Sequence, residues 1–340
     1  MSILIHDSIE FHNAAALEPR VGVPGLAMVR VPAPVRMHLN ASARFTGAES
    51  TGIELRFVTD APLFRMAFAA QDKTVNLEVY CGDFEVASHS IPAGTSRMIG
   101  FTPPEHMRNF DLSGTDTGPF APHLWRIVFS GGGAAYLGTE APGFSIRPPA
   151  ASEKPRIRWL AYGSSITHSW SRGYPHVAAR VLGVDVLNKG LSGSCQFEAE
   201  LAEHFATGET WDLATLELGV NVRGVFTEAT FRERASHLLD RLREARPDAP
   251  LVLITHYPNR DHLPHKSEGQ THAGKMQDAF DGILRELAER NDSNLHLFEG
   301  RDILKNFQGL TGDLLHPSQY GQIQMGYNLA EKLRPLVDRI

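Results

Sequence analysis

Two blocks far apart in the chain carry residue types that together could cleave or form an ester. One is Gly163-Ser164-Ser165-Ile166-Thr167; the other is Asp313-Leu314-Leu315-His316-Pro317. A serine hydroxyl is a weak nucleophile until a neighbouring base takes its proton. His316 offers that base. Asp313, three residues earlier, reaches the imidazole within one turn and would orient it. Acyl transfer also needs N–H donors for the oxyanion that develops on the carbonyl oxygen. The Ser165 and Gly193 backbone amides and the Asn221 side-chain amide are the candidates. Each block has a blander reading. Ser165 could cap a helix, Asp313 and His316 could form a solvated turn before the last helix, and Gly193 and Asn221 are ordinary turn residues.

These residues need a scaffold that gathers them. From Arg156 onward, within a second domain of residues 151–340, the pattern alternates strand and helix. Apolar strand candidates are Ile157–Ala161, Val184–Leu187, Leu213–Leu218, Leu251–Thr255 and Leu295–Phe298. Helical spacing of apolar residues predicts helices over Gly173–Leu182, Thr230–Arg246, Thr271–Arg290 and Gln319–Val337. Pro317 suits the first position of the last one. This alternation predicts an α/β fold with a parallel, doubly wound sheet, whose strand ends converge on one crevice. Ser165, Gly193, Asn221 and His256 all follow strand candidates closely. His168, Trp170, Arg223 and His256 are candidate substrate-pocket residues, with loop packing as the competing reading.

Residues 1–150 read differently. Short alternating runs at Gly52–Asp60, Leu63–Ala69, Val75–Tyr80, Phe84–Ile91 and His123–Phe129 are separated by turn signals. They predict an all-β sandwich, jelly-roll-like, as an accessory domain. Its aromatics, including Phe64, Tyr80, Phe84, Trp125 and Tyr136, fall in strand patterns and read as core. Phe144–Pro155, with tandem prolines, reads as the boundary segment.

The chain has 340 residues, 42% hydrophobic and 21% charged, with a net charge of −6. That balance argues against nucleic acid or an anionic membrane as partner. The N-terminus lacks a basic start and an apolar signal core, so a cytoplasmic protein is expected, with a mature secreted form as the alternative. Cys81 and Cys195 read as free thiols in different domains. Cys195 beside the Gly193 turn reads as a buried small residue, not a nucleophile. His256, His262, His265 and His272 crowd one segment but lack zinc-ligand spacing. Gly131-Gly132-Gly133 is not followed by a phosphate-loop lysine, and no dinucleotide fingerprint opens the α/β domain. No metal and no cofactor are expected.

Taken together the blocks resemble the SGNH hydrolases, the GDSL-type esterases and lipases. The match is Ser165 in Gly163-Ser164-Ser165, Gly193 in Leu191-Ser192-Gly193, Asn221 in Gly219-Val220-Asn221, and Asp313 with His316, in the family's order. Two positions depart from its pattern: Ser164 replaces the usual aspartate, and Val222 replaces the aspartate that often follows the asparagine. Gly-Ser-Ser-Ile-Thr is similar to a branch with an N-terminal β-sandwich. The resemblance implies a flavodoxin-like catalytic domain and a Ser165-His316-Asp313 triad. It also implies a serine esterase acting on short acyl, above all acetyl, esters of carbohydrate. Two alternatives stay open: an acyltransferase using the same triad on a small-molecule alcohol, and a carbohydrate-binding protein with an inactive hydrolase domain. The sandwich could bind carbohydrate, shape the pocket or join copies into a homo-oligomer.

Overall fold

The structure, a computed structural model, describes residues 3–169, 171–267 and 269–340. The chain divides into two compact units.

The β-rich unit comprises Ser2–Ala33 and Gly47–Arg156. Its strands are β1 Ile5–His6, β2 Ile9–His12, β3 Ala16–Arg20, β4 Val23–Val29, β5 Glu54–Phe57, β6 Phe64–Ala70, β7 Val75–Cys81, β8 Phe84–Ile91, β9 Ser96–Phe101, β10 Trp125–Ser130 and β11 Ala134–Glu140. They form two antiparallel sheets, ordered β1-β2-β5-β10-β7-β8 and β3-β4-β11-β6-β9. Period-two alternation sends one side of each strand inward. Leu77 and Val79 of β7, Ile127 and Phe129 of β10, and Met66 and Phe68 of β6 thereby share one core. Phe64 anchors it, edge-on to Phe57 and Trp125 and stacked on Phe101 at 5.1 Å. The expected sandwich is present. Of the aromatics read as core, Phe64, Tyr80, Trp125 and Tyr136 are buried, whereas Phe84, at the start of β8, is exposed.

The second unit comprises Pro34–Thr46 together with Ile157–Ile340. Its strands β12 Arg158–Tyr162, β13 Asp185–Asn188, β14 Leu213–Glu217, β15 Leu251–Ile254 and β16 Leu295–Phe298 form one parallel sheet, ordered β13-β12-β14-β15-β16. This is the flavodoxin-like order, which reverses direction beside β12 and opens a crevice at the strands' carboxyl ends. Trp159, Ala161, Val252 and Ile254 share a core with Tyr174, Ala178, Met325 and Leu329 of the helices Tyr174–Leu182 and Gln319–Val337. The helices Glu228–Ala245 and His272–Ala288 meet through Phe231 stacked on Phe280, with centroids 4.1 Å apart. Thr227, Thr271 and Ser318 cap three of the helices, each accepting a backbone N–H. The cap at Ser318 corrects one detail: Pro317 precedes the cap instead of opening the helix. Among the described residues, no helix is long and apolar enough to cross a membrane.

Candidate active site

Ser165 sits in a turn just past β12. The next helix begins at Tyr174 with Gly173 as its cap, so Ser165 caps no helix. Its hydroxyl is therefore available to a base. The Ser165 Oγ lies 2.8 Å from His316 Nε2. His316 Nδ1 lies 2.6 Å from Asp313 Oδ2. A neutral imidazole protonated at Nδ1 satisfies both distances: it donates to Asp313 and leaves Nε2 to accept the serine proton. The structure thus brings the three residues into one hydrogen-bonded relay.

The Asp313 turn is built to hold its carboxylate still. Oδ1 accepts the Leu315 and His316 backbone N–H groups at 2.9 and 3.0 Å and the Thr311 hydroxyl at 2.7 Å. Leu314 between them adopts a left-handed φ of 55°, and its carbonyl accepts the Arg260 N–H at 2.6 Å. Burial pushes the Asp313 carboxyl up, but the hydrogen bonds from His316 and Thr311 outweigh it and hold it well below the usual carboxylate range. Asp313 is therefore held as a carboxylate beside the His316 ring. His316 and Asp313 side chains are 42% and 43% exposed, so water reaches the base.

The three proposed oxyanion donors lie past the ends of β12, β13 and β14. Among the described residues no partner occupies the Ser165 or Gly193 N–H or the Asn221 side-chain NH₂. Asn221 Oδ1 accepts the Cys195 N–H at 3.1 Å, which fixes the amide and leaves its NH₂ to be presented. Gly193 has a left-handed φ of 67°, a conformation costly for a side-chain-bearing residue.

Sequence reasoning missed the residue that steadies the nucleophile turn. Glu217, at the end of β14, is buried, and its Oε2 accepts the Ser164 N–H at 2.7 Å and the Thr167 hydroxyl at 3.2 Å. Burial, only partly opposed by hydrogen bonds from Ser164, holds the Glu217 carboxyl above its usual range. Where the family's pattern has an aspartate beside the nucleophile, this chain has Ser164, and a carboxylate reaches that turn from the neighbouring strand. The available signal was a glutamate ending the otherwise uncharged run Leu213–Leu216.

The candidate pocket residues separate. His168 is half-buried, and its N–H donates to the Ser164 carbonyl at 2.9 Å. Arg223 is buried and held by Asp261 at 2.7 Å and Gln277 at 2.9 Å. His256 is buried too: Nδ1 pairs with Asp281 at 2.7 Å, and the ring lies so close to Gly219 that a Cβ there would meet it at 2.5 Å. Both are supports of the strand ends in this geometry. Trp170 lies outside the described residues. Cys195 is buried, and burial with the nearby Glu217 pushes its thiol well up, away from nucleophilic use.

Comparison with known proteins places the chain among folds of one kind. Residues 156–334 match the GDSL-like lipase/acylhydrolase family. Among solved structures, a salicylyl-acyltransferase from a tetracycline biosynthetic pathway is similar over 98% of each chain, with TM-score 0.76 and 18% identity. A family two carbohydrate esterase from Clostridium thermocellum, in complex with cellohexaose, is similar over 85% of this chain and 94% of its own, with TM-score 0.61 and 11% identity. An acetyl xylan esterase from Butyrivibrio proteoclasticus covers 99% of this chain and 98% of its own, with TM-score 0.55 and 11% identity. No curated protein matches the sequence. The match spans more than half of the 340 residues, in the parallel-sheet unit that carries the relay, and the chain belongs to the GDSL-like lipase/acylhydrolase family.

Proposed function

We propose that this protein is a serine esterase that removes short acyl groups, acetyl first among them, from carbohydrate. The observation that carries the reading is the unbroken Ser165–His316–Asp313 relay, at 2.8 and 2.6 Å. Ser165 Oγ attacks the ester carbonyl carbon as its proton passes to His316 Nε2. The carbonyl oxygen becomes an oxyanion facing the Ser165, Gly193 and Asn221 N–H donors. Collapse of the tetrahedral species breaks the bond to the alcohol, which leaves with the proton from His316. Water then attacks the acyl-serine, with His316 again as base, and releases the acid. No metal or cofactor enters any step. The exposure of His316 supports water as the second acceptor. The likeness to two carbohydrate esterases supports a sugar ester.

A second reading keeps the same acyl-serine but passes it to an alcohol. It is favoured by the full-length likeness to an acyltransferase. One experiment tests both. Acetate or nitrophenol release is followed from nitrophenyl acetate and acetylated sugars, with and without acceptor alcohols, for the wild type and Ser165→Ala. Release that vanishes in the variant supports the serine mechanism; acyl product that forms only with an acceptor favours transfer. Equal release by both proteins overturns the mechanism.

A further inference from the structure

The chain leaves the β-rich unit after Ala33 and rejoins it at Gly47, and Pro34–Thr46 in between belongs to the parallel-sheet unit. The excursion is closed at its base, where the Arg30 and Val31 N–H groups donate to the Gly47 carbonyl at 3.1 and 3.0 Å. Two of its residues reach the turn that follows β13. Asn40 Nδ2 donates to the Ser194 carbonyl at 3.1 Å and to Glu198 Oε1 at 2.7 Å. The Asn40 backbone N–H donates to the same Glu198 oxygen at 3.0 Å. Thr46 Oγ1 and Ser194 Oγ lie 2.9 Å apart. Asn40 Oδ1 meanwhile accepts the Ala43 N–H at 3.0 Å, so its amide plane is pinned from both ends.

Ser194 is fully buried and sits between Gly193, a proposed oxyanion donor, and Cys195, whose N–H holds the Asn221 amide. Gly193 precedes it at an exposed tip, its N–H without a partner among the described residues, where a Cβ would meet nothing within 4 Å. Cys195 follows it and fixes the Asn221 amide through its own N–H. Ser194 ties the turn together, its N–H donating to the Leu191 carbonyl at 3.1 Å and its hydroxyl to the Ser192 carbonyl at 3.2 Å, so its placement bears on both donors.

We infer that Asn40 and Thr46 are positioning residues for acyl transfer: they latch Ser194 and so aim the Gly193 and Asn221 donors at the developing oxyanion. Donors of this kind are effective only when they are preorganised, within a fraction of an ångström, for the transition state. The inference rests on the serine mechanism proposed above. It adds that the hydrolytic site is completed by a segment from the first fifty residues of the chain.

The test uses Asn40→Ser, which keeps a helix-capping oxygen but removes the amide donor, and Thr46→Val, which removes only the hydroxyl. Both are assayed in the full chain with nitrophenyl acetate, together with Thr46→Ser and Ser165→Ala. Binding of a short alkyl boronate, which adopts the tetrahedral geometry on Ser165, is measured in parallel. The expected result for Asn40→Ser is a fall in kcat of about tenfold, with KM within about twofold and boronate affinity reduced by a similar factor. Thr46→Val should show a smaller fall that Thr46→Ser restores. A role confined to stability would lower the melting temperature and leave both the kcat/KM split and boronate affinity unchanged. That outcome overturns the latch, as does a rise in KM alone. The two readings fail separately. Full turnover by Ser165→Ala sinks the serine mechanism; full turnover by Asn40→Ser and Thr46→Val beside an inactive Ser165→Ala sinks only the latch.

Discussion

Glu54 in the β-rich unit and Asp313 in the parallel-sheet unit are both carboxylates held below their ordinary range, and their neighbours differ. Glu54 is buried. Its Oε1 meets Arg56 Nε at 2.7 Å and Arg126 Nε at 2.5 Å, while Arg126 also pairs with Asp83 at 3.0 Å and Arg56 with Glu10 at 3.5 Å. Burial pushes the Glu54 carboxyl up, and Arg126 and Arg56 together outweigh it. Asp313 is half-exposed and owes its low value to hydrogen bonds from a histidine, a threonine and two backbone amides. The first arrangement locks permanent charges into a network with no proton to give. The second couples a permanent charge to an imidazole that, in the proposed mechanism, gains and loses a proton on each turnover. Glu217 stands between them: it is buried like Glu54, but burial outweighs the hydrogen bonds of Ser164 and the nearby His256, so it is held above the usual range and works as a hydrogen-bond acceptor.

Four substitutions break or sharpen this contrast, and they are ordered by expected effect. Asp313→Asn should lower kcat on nitrophenyl acetate by about 10⁴, because an amide can no longer hold the Nδ1–H tautomer or stabilise the imidazolium. Its thermal unfolding should stay near wild type, and a large stability loss with kcat intact would erase the distinction from Glu54. Glu54→Gln should do the reverse. Leaving Arg56 and Arg126 undercompensated should cost about 3–5 kcal/mol in denaturant unfolding, with turnover per folded molecule preserved. Asn221→Ala should lower kcat by about 10²–10³ with KM little changed; a rise in KM alone would move Asn221 from the oxyanion to ground-state binding. Glu217→Gln should change stability least, within about 1 kcal/mol, since the glutamine oxygen still accepts the Ser164 N–H.

The two buried glutamates also predict opposite pH responses. Glu54 is depressed in the folded state, so its stabilisation is complete above the unfolded value of about 4.3 and is lost as pH falls through its lower folded value. Glu217 is raised, so its contribution is complete below the unfolded value and is lost as pH rises through its folded value. Melting temperatures recorded from acid to neutral pH should show the wild-type advantage over Glu54→Gln shrinking on acidification. The difference between wild type and Glu217→Gln should shift in favour of the wild type over the same range. Parallel curves would mean that neither glutamate is perturbed by folding.

Legibility in the sequence followed how local each signal was. The parallel strands are readable to within a residue or two because each is a short apolar run, buried throughout in β13, β14 and β15. Gln319–Val337 was readable because its apolar stripe is regular and a serine precedes it. The sequence pattern does not predict β1 to β4, β9 or β11. β3 and β4 contain Pro19, Pro24 and Gly25; β9 is exposed over most of its length; and β11 starts with two alanines and shifts register between Tyr136 and Gly138. The relay was legible because Asp313 and His316 lie within one turn and the serine block has its own pattern. Glu217 and Asn40 were not, because each acts on residues more than forty positions away and carries no local motif.

The excursion at Pro34–Thr46 has a consequence for how the chain comes to be folded. Asn40 and its partner Ser194 are separated by 154 positions. On the ribosome the segment emerges long before the strand whose turn it will hold, and it stays undocked while the whole β-rich unit is made. Closing so long a loop adds only a logarithmic entropic cost, but contacts of such separation form late and slow the search for the native state. The contact that holds the turn after β13 is thus about as long-range in sequence as the Ser165–His316 contact of the relay. A polypeptide cut between the two units would inherit every residue of the relay without the segment that Ser194 waits for.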